Sequence, residues 1–171
     1  MSDSVPDKTI LLVEDEAIIA MAEAAVLKKN GYPVITAGNA QKAIENAKQE
    51  NIDLILMDID LGQGKMDGTE AAEIILKEQD IPIVFLSSHT EPEVVEKTEG
   101  ITSYGYIVKN SGETVLIASI KMAFRLFEAK KQEQERKKEL LHSRDLMKYV
   151  IEHNRSAVAI HDRELHYLYV S

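Results

Sequence analysis

Four consecutive apolar residues at positions 54–57, LILM, are followed directly by Asp58. Such a run predicts a strand that is buried on both faces, as in the interior of a parallel sheet. Open α/β sheets place their chemistry in the crevice above the carboxyl ends of their strands, and Asp58 would lie there. A carboxylate at such a position is a metal ligand, a nucleophile or a helix cap, and the rest of the chain must decide among these.

Four other apolar runs have the character of strands and alternate with segments of helical periodicity. The helical segment 17–29, for example, has Ile18, Met21, Ala22, Ala25 and Val26 at helical spacing. This alternation predicts an α/β fold with a doubly wound, five-stranded parallel sheet. The four other strands are expected at 9–13, 33–37, 81–86 and 104–108, and the helices at 17–29, 40–49, 69–78 and 91–99.

Polar residues follow the predicted strands where each strand ends. Right-handed crossovers bring the carboxyl ends of parallel strands to one edge of the sheet, so these residues should converge there. They come from well-separated parts of the chain, and their convergence is the main prediction about function. The residues are Glu14, Asp15, Asp58, Ser87 and Lys109.

The chemistry of these residue types points to phosphoryl transfer. Clustered carboxylates repel one another unless they are protonated or share a divalent cation, and oxygen-only ligands suit Mg²⁺. The Lys109 ammonium and the Ser87 hydroxyl match the oxygens of a phosphoryl group. Asp58 is then the nucleophile that forms an aspartyl-phosphate. Taken singly, Asp15 and Asp58 could be helix caps, Ser87 a turn residue and Lys109 a strand flank, but their occurrence together favours a site.

Bulk composition excludes several classes of protein. A net charge of −9 argues against nucleic acid, and the absence of cysteine excludes disulfides and thiolate metal sites. There is no apolar run of about 18 residues and no signal-peptide pattern, so no membrane contact by this chain is expected and a cytoplasmic location is predicted.

From position 110 the pattern changes to one long helix. Asn110 and Glu113 have capping-box spacing, and no Gly or Pro interrupts the helical pattern from 114 towards 154. This pattern predicts an extended C-terminal helix that acts as a coiled-coil connector, with a homodimer through it. Two columns at seven-residue spacing form the expected seam, which is polar in its middle: Leu116, Ala123, Lys130, Lys137, Arg144 and Ile151, and Ile120, Phe127, Gln134, Leu141 and Lys148.

The motifs around four of the strand ends resemble the receiver domain of two-component response regulators, over about residues 8–128. The resemblance implies a flavodoxin-like fold, an Asp58 phosphoacceptor, and a histidine kinase or phosphotransfer protein as the donor. It also implies that Mg²⁺ is bound by Asp15, Asp58, the backbone carbonyl of Asp60 and, through water, Glu14. In this family Ser87 is the switch hydroxyl, Lys109 pairs with the phosphoryl group and Tyr106 is an aromatic switch. The motifs are 10–16 (ILLVEDE), 54–58 (LILMD), 82–87 (PIVFLS) and 105–109 (GYIVK).

Two features depart from that family. Asn110 stands where the family usually has a proline in a cis peptide, so a trans peptide is expected. The loop 60–68 is longer than usual, and the Asp60 side chain is expected near the metal, where it would affect the lifetime of the phosphoryl group.

The segments 147–154 and 157–162 resemble the start of a PAS sensory domain. The predicted organisation is therefore a receiver domain at 1–128, a helical linker at 129–148 and an incomplete PAS-like segment at 149–171. We interpret this as a piece of a longer protein whose second domain is truncated. Two short strands are expected at 157–161 and 165–170. The histidines at 142, 153, 161 and 166 are interpreted as surface or interface residues.

Two other functions compete with the signalling interpretation. A haloacid-dehalogenase-type phosphatase would use Asp58 as the nucleophile and Asp60 as the acid two residues later. That class also needs an acidic metal-binding pair after its lysine, where only Glu113 is found, and a cap domain that this chain lacks. A scaffold module with a vestigial pocket is the third possibility. The preferred prediction is a phosphorelay domain that catalyses its own phosphorylation and dephosphorylation rather than a turnover enzyme.

Overall fold

The computed structural model describes residues 8–62, 66–88, 92–101, 104–153, 159–161 and 167–170. The chain forms two compact units, Met1–Glu128 and Ala129–Ser171. Helices and strands follow one another in the order β1 (Ile10–Val13), α1 (Ala17–Lys29), β2 (Val34–Ala37), α2 (Ala40–Gln49), β3 (Leu54–Asp58), α3 (Gly68–Glu78), β4 (Ile83–Ser87), α4 (Pro92–Ile101), β5 (Tyr106–Val108), α5 (Glu113–His153), β6 (Ala159–His161) and β7 (Tyr167–Val170).

The first unit contains the predicted parallel sheet. Its strand order is β2-β1-β3-β4-β5, and every neighbouring pair is parallel. Ile10 pairs with both Val34 and Leu54, so β1 lies inside the sheet and its carboxyl end is level with that of β3. The α/β fold class and the five-stranded, doubly wound topology are confirmed.

The core lies on both faces of the sheet because successive strand residues point in opposite directions. Leu11, Ile55 and Phe85 belong to the cluster on one face. Leu12 and Leu56 belong to the cluster on the other face, which also receives the start of α5. Burial on both faces explains why the central strands are continuous apolar runs without alternation.

Side-chain caps fix the beginnings of two helices. The Lys42 N–H donates to Asn39 Oδ1 at 2.8 Å, as expected for a cap of α2. Asp67 and Glu70 form a reciprocal capping box at the start of α3. The capping box fixes the point at which the chain enters α3 after the loop that follows β3.

The helix α1 turns a different face to the core than its apolar pattern suggests. Ala24 and Leu27 are buried, whereas Ile18 is 85 % exposed and Met21 is 75 % exposed. Spacing identifies an apolar stripe but does not say whether the sheet or another molecule covers it.

The helix α5 begins with its inward face in the receiver core. Leu116, Ile120 and Ala123 are buried there. These residues open the two predicted seam columns, so this part of the seam is occupied by the sheet and is not free for a second chain.

The predicted cap of α5 by Asn110 is wrong. The helix starts at Glu113, after Asn110 with φ 64° and Gly112 with φ 95°. Glu113 instead accepts hydrogen bonds from Lys29 and Asn30. The Lys109–Asn110 peptide is trans, as expected.

In the second unit, residues 129–150 of α5 are exposed, and β6 pairs with β7 in antiparallel fashion. The two predicted strands are thus present, although positions 157–158 and 165–166 lie outside the described residues. None of the helices in the described segments is long and apolar enough to cross a membrane.

Candidate functional site

The carboxyl edge of the sheet holds a buried ion-pair triad of Glu14, Asp58 and Lys109. Lys109 Nζ donates to Glu14 Oε2 and to Asp58 Oδ2, both at 2.7 Å. The two acids are almost completely buried, and the lysine side chain is 9 % exposed. Glu14 follows β1, Asp58 ends β3 and Lys109 follows β5, so the sheet topology itself brings the three groups together.

A third acid, Asp15, completes a carboxylate cluster. One oxygen from each of Glu14, Asp15 and Asp58 lies within 4.8 Å of the other two. Asp15 is half-buried, and its Oδ2 accepts the Gly62 N–H at 3.1 Å. An oxygen-only donor set of this size, open on one side, fits Mg²⁺, which keeps part of its hydration shell.

Backbone amides orient two of these acids. The Asp60 N–H donates to Asp58 Oδ1 at 3.1 Å, and the Glu16 N–H donates to Glu14 Oε1 at 3.1 Å. Each of these carboxylates therefore has one oxygen fixed by the backbone and the other fixed by Lys109.

Burial raises the pKa of Asp58 to about 6, although the bond to Lys109 lowers it and the nearby Glu14 raises it. Burial alone would lower the pKa of Lys109, but its bonds to Asp58 and Glu14 outweigh burial and raise that pKa well above its usual range. The triad therefore contains a permanent cation at neutral pH, and the acids around it carry an excess of negative charge.

Ser87 lies on β4, the strand next to that of Asp58, and Tyr106 lies on β5, one strand further along the sheet. Ser87 is fully buried at the end of β4, and the Lys109 N–H donates to its carbonyl oxygen at 2.8 Å. Tyr106 starts β5 opposite Phe85 and is half-buried against the core. The structure thus places six of the predicted residues at or just after the carboxyl ends of four strands, whereas Tyr106 lies at the start of β5: Glu14, Asp15, Asp58, Asp60, Ser87 and Lys109.

Gly68, the first residue of α3, contacts the backbone of the phosphoacceptor candidate. A Cβ atom at this position would lie 1.9 Å from the Asp58 carbonyl oxygen, and the Gly68 N–H donates to the carbonyl of Ile59 at 3.0 Å. The glycine therefore allows α3 to start directly against the end of β3.

We expect Gly68→Ala to destabilise the protein by about 2–4 kcal/mol, because the clash is with backbone that cannot rotate away. Gly100→Ala in α4 is the matched control, since its Cβ would meet no atom within 4 Å. That control should be neutral or stabilising by up to about 1 kcal/mol. Urea denaturation measures both, and equal stabilities for the two variants would contradict the steric argument.

The sequence analysis missed one acid near this site, Glu23 on α1. Its Oε2 is buried and has no hydrogen-bond partner among the described residues. Glu23 lies one helical turn before the buried Leu27, and an acid on that inward face was the available signal.

The fold belongs to the class of doubly wound α/β domains, which bind their ligands at the carboxyl edge of the sheet, and the acids and lysine found there suit a metal ion or a phosphoryl group. Comparison with known protein families shows which family within this class the chain matches. Residues 10–121 match the family described as the response regulator receiver domain. The chain belongs to that family.

Relatives and solved structures agree with this assignment. The chain is 32 % identical over 127 residues to the transcriptional regulatory protein PdtaR of Mycobacterium tuberculosis, covering 74 % of this chain and 61 % of PdtaR. It is 47 % identical to the N-terminal domain of a response regulator/sensory box/GGDEF three-domain protein from Carboxydothermus hydrogenoformans. That likeness has a TM-score of 0.66 and covers 72 % of this chain and 98 % of the solved one.

The fold is also that of chemotaxis protein CheY4 of Vibrio cholerae, with 23 % identity and a TM-score of 0.64 over 68 % of this chain and 98 % of that one. The chain spans about three fifths of the length of PdtaR. By its family, the chain is a receiver domain of two-component signalling. The phosphatase alternative with Asp58 and Asp60 finds no support in these comparisons.

Proposed function

We propose that Asp58 accepts a phosphoryl group from a phosphohistidine donor in a reaction that depends on Mg²⁺. The observation that carries this proposal is the buried Lys109 ammonium, which holds Asp58 and Glu14 beside Asp15. A nucleophile, an oxygen-ligand cluster and a cation within one small site are the parts that phosphoryl transfer requires.

The transfer is an in-line displacement. An Asp58 carboxylate oxygen forms a bond to phosphorus as the N–P bond of the donor breaks, and the electron pair of that bond returns to the imidazole nitrogen. Lys109 stays protonated and neutralises charge on the phosphoryl oxygens, and the Ser87 hydroxyl donates to one of them. A bound Mg²⁺ would supply further charge neutralisation at the same oxygens.

Several roles follow from the family resemblance and belong to this proposal. Asp15, Asp58 and the backbone carbonyl of Asp60 would hold Mg²⁺ directly, with Glu14 bound through water. Ser87 and Tyr106 would be the two switch residues that respond to the phosphoryl group. The bonds to Asp58 and Glu14 support this division, because in each acid the backbone fixes one oxygen and the other oxygen already binds a cation, the Lys109 ammonium.

Acetyl phosphate tests the proposal without any partner protein. With Mg²⁺ present, intact mass spectrometry should find one adduct of about 80 Da, the mass of a phosphoryl group. Chelation of Mg²⁺ should remove it. Rapid turnover of phosphomonoesters would favour the phosphatase alternative, and the absence of an adduct would favour a scaffold with a vestigial pocket.

The exposed Asp60 side chain provides a separate prediction about phosphoryl lifetime. We propose that its negative charge near the phosphoryl group affects hydrolysis, so Asp60→Asn should change the half-life of the aspartyl-phosphate, by about two- to tenfold. The decay of the adduct after removal of acetyl phosphate measures it. Equal half-lives in the variant and the unmodified chain would contradict a role for Asp60.

The exposed start of α1 supports a protein-sized donor. Ile18 and Met21 are apolar and exposed, and a cavity beside them is lined by Met21 and by the site acids Glu14 and Asp15. Exposed apolar side chains that border a reactive pocket are typical of an interaction surface. A histidine kinase or phosphotransfer protein with an apolar helical face would cover them and present its phosphohistidine to Asp58.

We further propose the domain division into a receiver at 1–128, a linker at 129–148 and the start of a PAS domain at 149–171. The antiparallel pair β6–β7 supports the last part, as does the sensory box named in the Carboxydothermus relative. In this arrangement the phosphorylated state is relayed through α5 to the PAS or other output module. Determination of the coding sequence beyond position 171 tests it, and a continuation without a PAS pattern would contradict it. The cytoplasmic location stays a prediction.

A homodimer through α5 is the remaining part of the proposal. Because residues 116–123 of the predicted seam lie in the receiver core, the contact would use the linker part, where Leu141 and Ile151 occupy the two columns. The chain has no cysteine, so single cysteines report the contact directly. Leu141→Cys should form an intermolecular disulfide on mild oxidation, whereas Glu139→Cys, about 200° away on the helix, should not. Equal cross-linking of both variants, or of neither, would contradict this seam.

A further inference from the structure

Glu23 is a half-buried acid that the phosphoryl-transfer chemistry described above does not use. Its carboxyl group borders a cavity of about 160 Å³ that is also lined by Lys109. Val26, Leu86 and Ile107 supply apolar walls to the same cavity. Glu23 Oε2 is buried and has no hydrogen-bond partner in the described part of the chain, a state that costs free energy unless another state of the protein uses it.

The charged groups that act on Glu23 come from the carboxyl ends of β1, β3 and β5. The pKa of Glu23 is raised to about 7, chiefly by burial and also by Glu14 and Asp58, while Lys109 opposes the rise. Glu113 of α5 lines the same cavity but is held by Lys29 and Asn30. Lys109 is the cation among these groups, and both of its acid partners belong to the metal cluster.

Metal binding would deprive Lys109 of its two acid partners. In the structure its ammonium is held by Glu14 and Asp58, and both acids belong to the cluster that fits Mg²⁺. A Mg²⁺ ion among these acids would repel the ammonium and would bind the oxygens that now accept its hydrogen bonds. A buried ammonium without an acid partner is unfavourable, so Lys109 needs another acceptor until a phosphoryl group arrives.

We propose that Glu23 is a positioning residue that accepts the Lys109 ammonium across this cavity while Glu14 and Asp58 bind magnesium. This inference rests on the proposed function of the acidic cluster. The four-carbon stem of lysine has the rotational freedom for such a shift, and the unpartnered Glu23 oxygen is an acceptor on the same cavity. Glu23 thereby keeps Lys109 beside the site, ready to pair with the phosphoryl oxygens.

Mg²⁺ affinity measured by titration calorimetry from pH 6 to pH 8 tests the proposal. Glu23→Gln should bind Mg²⁺ about tenfold more weakly than the unmodified chain at pH 8, where Glu23 is ionised. The ratio should approach one at pH 6, because Glu23 is then protonated in the unmodified chain. Glu14 and Asp58 are present in both proteins, so their own contributions to Mg²⁺ binding cancel in the ratio.

Two controls separate positioning from bulk charge. Glu113→Gln removes the same charge from the same cavity but from an acid that already has partners, so it should leave Mg²⁺ affinity within about twofold. Glu23→Leu fits the apolar walls and gives a second folded variant without the acceptor, which should reproduce the loss seen with Glu23→Gln. If Glu113→Gln weakens binding as much as Glu23→Gln, or if the ratio does not depend on pH, the inference is overturned.

A spectroscopic readout follows Lys109 directly. On addition of Mg²⁺, the ¹⁵N signal of its ammonium should shift and stay sharp in the unmodified chain, because the group moves to one new acceptor. In Glu23→Gln it should broaden or exchange faster with water. Unchanged ammonium signals in a chain that binds Mg²⁺ and forms the Asp58 adduct would refute the role of Glu23 alone, whereas the absence of Mg²⁺ binding at the acids would refute the proposed function itself.

Discussion

Asp58→Asn should reduce phosphorylation by acetyl phosphate by a factor of about 10³ or more. An amide has the size of the carboxylate but not its charge or its nucleophilic oxygen, so no bond to phosphorus forms. The backbone bond from Asp60 and the bond from Lys109 fix the two oxygens of the Asp58 carboxylate in position. Intact mass after a fixed incubation with acetyl phosphate and Mg²⁺ measures the loss.

Asp60→Asn is the matched control for that experiment. Asp60 lies two residues further along and its side chain is exposed, so the substitution removes the same charge from the same loop. This variant should still form the adduct, although its lifetime should differ. Retention of the adduct in Asp58→Asn would show that another group accepts the phosphoryl group instead. Glu14, the other buried acid of the cluster, would be the candidate.

The sequence predicted the sheet and its edge because both depend on local patterns. Continuous apolar runs identify strands buried on two faces, and the polar residue that ends each run must lie at the common edge of a parallel sheet. Asp58 and Lys109 are 51 positions apart in the chain, yet the topology places both at the same edge of the sheet, and the structure joins them at 2.7 Å.

Other features depend on which surfaces meet, and spacing carries no such information. Ile18 and Met21 have the same helical spacing as core residues but are exposed, while Ala24 and Leu27 of the same helix are buried. The division of α5 between core and linker is a similar case. Glu23 was missed because a glutamate within a helix usually faces solvent, and only the packing of α1 beside Lys109 places it on a cavity.

Because several acids are buried together at the site, the stability of the fold should depend on pH. The unfolded chain ionises its acids freely, but burial raises the pKa of Asp58 to about 6 and that of Glu23 to about 7. For an acid with a raised pKa in the folded state, stability is highest at low pH and falls as pH rises through that pKa. Without Mg²⁺ the fold should therefore lose stability between about pH 4 and pH 7, and a bound cation should restore it.

Lys109→Met should lower the free energy of unfolding, and this is the second large effect that we expect. The variant keeps an apolar stem but leaves Glu14 and Asp58 buried without their cation, and such losses destabilise proteins by about 3–5 kcal/mol. Urea denaturation at pH 8 measures the change. Lys48→Met is the control, because its pair with Glu78 is solvent-exposed on both sides and should contribute about 1 kcal/mol or less.

The same variant should respond more strongly to Mg²⁺ than the unmodified chain. Lys109 competes with the metal for oxygens of Glu14 and Asp58, so its removal should tighten Mg²⁺ binding and enlarge the stabilisation that Mg²⁺ gives. Lowering the pH to 5 should also recover part of the lost stability, because the raised pKa of Asp58 lets its carboxyl group take up a proton. A Lys109→Met variant that is unfolded at pH 8 but folds with Mg²⁺ would fit this account. A variant as stable as the unmodified chain at pH 8, with no added response to Mg²⁺, would mean that the ammonium does not hold the acids together.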